Sequence, residues 1–233
     1  EQAVQFAKER QLPLFVLGAG SNVLASDGEY AGVVLYIGLL GKEAVIDPEA
    51  GTVLYTAAAG EDLDTIIAGT VESGWWGMEN LSAIPTPIGA VPVQNVGAYG
   101  VEASQLIHSV RVYNGQTEQI ETWTADQCQF AYRDSLFKHE AGRGVIVLAV
   151  TFRLSLAPTP RLNYKDLAEY FSDSVPTQRA IRAAIIAIRG KKFPDWRLVG
   201  TAGSFFKNPI IPSTHAAVLK EQYPELPVYD TEV

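Results

Sequence analysis

Cysteine is almost absent. Cys128 is the only one in 233 residues, so no intrachain disulfide can form, which fits a reducing compartment. Histidine is scarce as well. His108, His139 and His215 lie too far apart, and with one cysteine the usual zinc ligand spacings are excluded. No apolar run approaches the roughly 20 residues that span a bilayer, and no signal-peptide pattern is visible. Positive charge is in deficit: 18 Lys and Arg against 26 Asp and Glu give a net charge of −8. That argues against a non-specific binder of phosphate backbones. Any phosphate must be held locally, by backbone amides and a few placed cations. The remaining composition, 47% hydrophobic and 19% charged, is that of a globular chain long enough for one large domain or two modest ones.

The pattern along the chain predicts a helix over residues 2–11, with Ala3, Val4, Phe6 and Ala7 on its apolar face. Strands are expected at Leu14–Leu17, Val33–Ile37, Thr52–Ala58 and Val145–Leu154. A helix over Asp62–Ser73 has Asp62 near its cap and Gly74 at its end. Residues 74–100 are rich in Gly and Pro and read as an ordered loop. Asn114-Gly115 between two apolar runs predicts a two-residue hairpin turn. Thr124 and Gln127 form a capping box that predicts a short helix, with Cys128 in it as a small core residue. Ala157–Pro160 reads as a linker between residues 1–154 and residues 155–233. Beyond it, helices are expected over Thr177–Gly190, with Gly190 as C-cap, and over Thr214–Gln222, capped by Ser213. The order is α/β early and α+β late. Glu1 stands inside a helical pattern and no closing element follows YDTEV, so the sequence reads as a piece of a longer chain.

Four segments could carry chemistry. Gly18-Ala19-Gly20-Ser21-Asn22 follows a strand, but Val23 stands where a dinucleotide fingerprint needs its third glycine, and a strand rather than a helix comes next. The turn can still present N–H donors to a pyrophosphate; alone, it reads better as a plain turn. The long loop Ile84–Gly100 has Gly89, Gly97 and Gly100 for close backbone approach and Gln94-Asn95 for hydrogen bonds. Ordering such a loop is costly, which favours a bound ligand over a bare surface loop. In Phe130–Lys138, Arg133 between Tyr132 and Asp134 could clamp a carboxylate, oriented by Asp134, or could form a structural ion pair. Ala202–Pro209, AGSFFKNP, sets Ser204 between a glycine and two phenylalanines, ahead of Lys207 and Asn208. A proton donor beside an anionic ligand and a buried strand suit it equally. If the segment is extended, Ser204, Phe206 and Asn208 share a face. Lys192, just past a helix, reads as a helix-dipole partner, and Tyr164 as a ligand contact or a packing residue.

Taken together, GAGSN, QNVGAYGVE, YRDSLFKHE and AGSFFKNP occur in one order, and the chain resembles the UDP-N-acetylenolpyruvoylglucosamine reductase (MurB) family from about Leu14 to Pro209. The resemblance implies an α+β chain: a two-part FAD-binding domain of the vanillyl-alcohol-oxidase type over 1–154, and a smaller, incomplete substrate domain over 155–233. It implies a cytoplasmic enzyme of peptidoglycan precursor synthesis, in which NADPH reduces FAD and the reduced flavin converts UDP-N-acetylglucosamine enolpyruvate to UDP-N-acetylmuramate. Gly18, Ala19, Gly20, Ser21 and Asn22 would then hold FAD, with Pro85, Gly89, Gln94, Asn95, Gly97, Ala98, Tyr99, Gly100 and Val147. Arg133 would polarise the substrate carboxylate beside Tyr132, and Ser204 would be the proton donor. Tyr164, Lys192 and Asn208 would contact the UDP part. No His or Cys lies between residues 14 and 100, which argues for non-covalent flavin. The family's first strand and its acidic catalytic partner have no counterpart here, and Glu232 lacks the matching context. Thr86 stands where the family has glycine; a left-handed backbone there would strain it. Another flavoenzyme of the same fold and a non-catalytic nucleotide-binding module are the alternatives.

Overall fold

The computed structural model describes residues 1–171, 175–195, 198–201 and 203–229. Contacts divide the chain into two compact units, Glu1–Thr201 and Ala202–Val233. The first opens with α1 (Gln2–Glu9), followed by β1 (Leu14–Leu17) and β2 (Val33–Tyr36), which pair in parallel. Five strands then form one antiparallel sheet: β3 (Lys42–Asp47), β4 (Thr52–Ala58), β7 (Ile107–Asn114), β8 (Gln119–Thr124) and β9 (Val145–Ser155), in the order β3-β4-β9-β7-β8. A small hairpin, β5 (Gly97–Ala98) with β6 (Val101–Glu102), lies in the connection before β7. Helices α2 (Leu63–Glu72), α3 (Lys165–Tyr170) and α4 (Gln178–Lys192) complete the unit, and the second unit holds α5 (Ser213–Gln222). The expected α+β class is what forms.

Pattern and burial agree where one face meets the core. β4 alternates, sinking Val53, Tyr55 and Ala57, as period-2 geometry requires. The α2 residues Leu63, Ile66, Ile67 and Val71 join that core; each fully buried aliphatic side chain of this size contributes about 1.5–3 kcal/mol. A second, smaller cluster unites Tyr99 with Leu167, Ile181, Ala184 and Ile185. Thus α3 and α4 bring their own apolar stripe to the loop that precedes β6.

Several local expectations are corrected. β3 was not expected; every residue of it is exposed, so it carries no inward apolar face to read. Asn114-Gly115 does not make a two-residue turn. Asn114 pairs with Gln119, the Asn114 side chain accepts from the Gln116 amide, and Glu118 takes a left-handed backbone with φ 57°, giving a four-residue loop. The capping box at Thr124 forms both of its bonds, at 2.9 and 3.4 Å, but caps a turn instead of a helix. Cys128 is buried there all the same, and burial pushes its thiol up to about 12. Helix α4 runs past Gly190 to Lys192 and stops at Phe193, because the residue before a proline, here Pro194, avoids the helical region. Ser213 opens α5 as its first residue without capping it. Asp62 and Thr177 do cap α2 and α4, accepting from the amides of Thr65 and Ala180.

Candidate active site

The glycine-rich turn begins at the carboxyl end of β1, where parallel strands leave room for ligands. Ala19, Gly20, Ser21 and Asn22 are exposed, and Gly20 has φ 73° with open space around it. The turn is held against the second loop. The Asn22 amide donates to Gln94 Oε1 at 2.9 Å, and a Cβ on Gly18 would meet Pro87 at 2.7 Å. The two segments that the sequence marks as nucleotide-binding thus face each other.

Backbone strain concentrates nearby. Among the described residues, seven non-glycine positions have positive φ, and six of them (Ala83, Asn95, Tyr99, Glu118, Gln129 and Arg133) lie between residues 83 and 133. Each such residue costs on the order of 1–3 kcal/mol and persists where surroundings over-determine it. Thr86 is not among them; it is buried, and its carbonyl accepts from the Leu63 amide. The strain expected at that position falls on Ala83 instead.

Arg133 sits at the third position of a tight turn in which Ala131 and Asp134 exchange backbone bonds. Its φ of 54° meets the turn's need for a left-handed residue there. The guanidinium donates to Gly97 O at 2.7 Å and Asn95 O at 3.4 Å, stands over the Tyr132 ring at 5.2 Å, and has Glu102 at 3.9 Å. Two of its five N–H donors therefore go to loop carbonyls. Asp134 is not its partner, contrary to expectation. Asp134 turns to His139 at 2.9 Å and Lys138 at 3.9 Å. Burial raises its carboxyl, but His139, the Ser135 amide and Lys138 outweigh that and hold it low. Asn95 is buried, with its amide on Glu102 and Ala131 O and its oxygen taking the Ser104 amide; its side chain fixes the loop. Gly89 likewise serves packing, since a Cβ there would meet Ala59 at 2.8 Å.

Tyr99 plugs this loop into the smaller core, edge-on to Tyr164 at 5.2 Å. Gly100, at φ 78°, carries the chain past Tyr164. Asn80 fastens Tyr99 O and Arg161 O to one amide, at 2.8 and 2.9 Å. Burial above all raises the Tyr99 hydroxyl. Lys192 pairs with Asp166, whose hydrogen bond raises the ammonium. Tyr99, Tyr164 and Lys192, expected on cofactor and substrate, are therefore neighbours. Ala98 pairs with Val101 in the β5–β6 hairpin, and Pro85 precedes the buried Thr86. Val147, expected at the cofactor, is a buried β9 residue opposite Val112 in the core.

A brace ties α4 to the start of the loop. Arg182 grips Asp64 through two bonds, at 2.5 and 2.8 Å. Asp64 also accepts from the strained Ala83 amide at 2.6 Å, while Arg189 donates to Ala83 O at 3.1 Å. Losing one partner of a fully buried pair costs about 3–5 kcal/mol. Asp64 keeps 32% of its side chain exposed, so Asp64→Ala is expected to cost about 2 kcal/mol, read from the urea midpoint. Burial raises the Asp64 carboxyl, but Arg182, the Ala83 amide and Arg189 together hold it below the ordinary value. Its contribution is therefore full above the unfolded pKa of about 3.9 and disappears as pH falls through the lower native value. The gap between wild type and variant should close in that acid window.

Residues 1–122 match the family described as FAD binding domain. A UDP-N-acetylenolpyruvoylglucosamine reductase of Dechloromonas aromatica is 38% identical over 234 residues, covering 97% of this chain and 68% of the relative. The chain belongs to the UDP-N-acetylenolpyruvoylglucosamine reductase family. The protein of the same name from Chromobacterium violaceum is 42% identical over 224 residues, 94% of this chain and 65% of the relative. The chain thus spans about two thirds of the length of the reductases it matches. Two solved structures share the fold. UDP-N-acetylenolpyruvylglucosamine reductase (MurB) from Thermus caldophilus has a TM-score of 0.61 at 22% identity, over 88% of this chain and 65% of that one. Cholesterol oxidase from B. sterolicum has a TM-score of 0.51 at 17% identity, over 66% of this chain and 32% of that one.

The reductase motif AGSFFKNP falls at the start of the second unit; Ala202 and Glu232 lie outside the described residues. Ser204 is neither buried nor in a strand. The Phe205 amide returns to Gly203 O at 3.0 Å, closing a three-residue turn with Ser204 at its apex, and Phe206 is 87% exposed. Asn208 is exposed as well. Sequence reasoning passed over Glu102, Asp166, Asp64 and Arg182. Only Glu102 had a signal, as the last residue of the QNVGAYGVE run. Among the described residues, no helix is long and apolar enough to cross a membrane, and no group of three or more His, Cys, Asp or Glu could hold a metal.

Proposed function

We propose that the intact protein carries out the NADPH-dependent, FAD-mediated reduction of UDP-N-acetylglucosamine enolpyruvate to UDP-N-acetylmuramate, as a cytoplasmic enzyme of peptidoglycan precursor synthesis. The Arg133 turn is the main support: a guanidinium on a strained backbone, half engaged with the loop that faces the glycine-rich turn. FAD suits the residues present. Gly18–Asn22 offer an exposed turn at a parallel strand end, with Gln94 held against it. Pro85, Gly89, Asn95, Gly97, Ala98, Tyr99 and Gly100 of the same loop as Gln94 would meet the cofactor through backbone, since the Asn95 and Tyr99 side chains are engaged in the fold. We keep the division near residue 155 for the start of the substrate-binding part; α3 and α4 pack there on Tyr99 and stay within the first compact unit.

Bound FAD supplies the electron relay between NADPH and the enolpyruvyl carbon. The side chains do the rest. As charge builds on the substrate carboxylate, the remaining donors of Arg133 stabilise it, without the guanidinium losing a proton. Tyr132 lines the same side. Ser204 gives its hydroxyl proton to the adjacent carbon and is reprotonated by a neighbour or water. Tyr164, Lys192 and Asn208 hold the UDP part, Lys192 with its charge secured by Asp166.

The test uses the intact protein, purified with its flavin and reduced anaerobically by NADPH. Addition of UDP-N-acetylglucosamine enolpyruvate is expected to restore the oxidised flavin spectrum stoichiometrically. Reduction without substrate-dependent reoxidation would overturn the reading and favour a different flavoenzyme of this fold.

A further inference from the structure

We propose that Glu102 is a positioning residue that aims Arg133. This rests on the carboxylate-binding role given to Arg133 above. Glu102 pairs directly opposite Gly97 in the β5–β6 hairpin, and its carboxylate holds Asn95, one part of the arginine's mount, and stands near the guanidinium itself. One oxygen accepts from Asn95 Nδ2 at 3.0 Å, and the other stands 3.9 Å from Arg133 Nη1. Asn95 and Gly97 in turn present the carbonyls on which the guanidinium rests. Gly97 makes the room. A Cβ there would come 2.5 Å from Arg133 Nη1 and 3.2 Å from Glu102 Cγ.

The geometry is that of a guide and not of a clamp. At 3.9 Å the carboxylate attracts the guanidinium without a bidentate bond, so it fixes direction and leaves donors for another carboxylate. Both side chains are about one-third exposed, 35% for Arg133 and 33% for Glu102. A ligand approaching from solvent therefore meets a cation that is already oriented. Removing the Glu102 charge has two opposed consequences. The net pull of Arg133 on an anionic substrate rises, and its aim in the transition state is lost. The second effect falls on kcat and the first on KM, and misplacement by about 1 Å can cost on the order of 10²-fold.

The test compares E102Q, E102D and G97A in the intact holoprotein. For E102Q, kcat for reoxidation by UDP-N-acetylglucosamine enolpyruvate is expected to fall about tenfold or more, with KM unchanged or lower. Flavin reduction by NADPH and FAD affinity should stay at wild-type values. E102D should recover part of kcat, and G97A should lose kcat with the arginine charge intact. Wild-type kcat and KM in E102Q would overturn the proposal. So would parallel loss in both half-reactions with release of FAD, which marks a merely structural residue. A crystal structure of E102Q decides the matter independently of turnover. Arg133 Nη2 is expected to leave hydrogen-bond distance of Gly97 O, and an unmoved guanidinium would refute the guide. If wild type itself shows no reoxidation by this substrate, the proposed function fails while the crystallographic result still stands for or against Glu102.

Discussion

Ser204→Ala is expected to leave reduction of the flavin by NADPH nearly intact and to slow reoxidation by the enolpyruvyl substrate by about 10²–10⁴-fold, the usual contribution of a positioned proton donor. The two half-reactions differ in what they ask of the protein. Flavin reduction needs no proton on a substrate carbon, whereas the second half leaves a carbanion-like centre that must be protonated. The substitution is clean on structural grounds. Ser204 is at the apex of a turn closed by the Phe205 amide and Gly203 O, a bond that alanine keeps. Positive φ falls on Gly203, at 56°, and not on Ser204, so alanine, which keeps serine's Cβ and loses only the hydroxyl, meets no new backbone penalty. Stopped-flow absorbance of the intact protein, followed separately for each half, is the measurement. Equal loss in both halves would remove Ser204 from proton donation.

The elements legible in the sequence were those whose residues face one core. β4 and α2 show periodicity because each lays one side against the main cluster, and β9 is legible as a long apolar run through that cluster. β3 had none, because both its faces meet solvent. Turn chemistry was read correctly in its parts and wrongly in its outcome. Asn114 does bond to a nearby amide and Thr124 does form a capping box, but Gly115 is also drawn to Gly144 O. That tertiary bond, far away in sequence, enlarges the hairpin loop.

The candidate site divides in the same way. Its loops were visible because glycine, proline and amides cluster there without periodicity. Which contacts they make was not visible. Asn95 looked like a ligand-binding amide and is a structural pin, since its partners Glu102, Ala131 and Ser104 come together only in the fold. Arg133 and Asp134 are adjacent in sequence, yet the left-handed backbone at Arg133 sends its side chain to residues 95–102 while Asp134 turns to His139. Adjacency misled because neighbouring side chains in a tight turn point apart. Asp64 and Arg182, 118 residues apart, had no local signal at all.

That left-handed turn makes Arg133→Lys the most discriminating substitution for substrate activation. Arginine and lysine suffer the same strain at φ 54°, so the backbone cost cancels and the head group alone is tested. A guanidinium can rest on Gly97 O and Asn95 O and still offer parallel donors to a carboxylate; an ammonium is a single point charge that must choose. Lysine keeps the charge, so substrate binding should weaken little. It loses the preorganised geometry, and removing such a stabilising donor set costs about 10²–10³ in kcat. The fall should appear only in reoxidation by UDP-N-acetylglucosamine enolpyruvate, with flavin reduction by NADPH unaffected. A substrate analogue with its carboxylate converted to the amide supplies the second edge of a cycle. If Arg133 acts through that carboxylate, the analogue should be slow with wild type and no slower with the lysine variant. Independent, multiplicative losses would place the role of Arg133 elsewhere in the site.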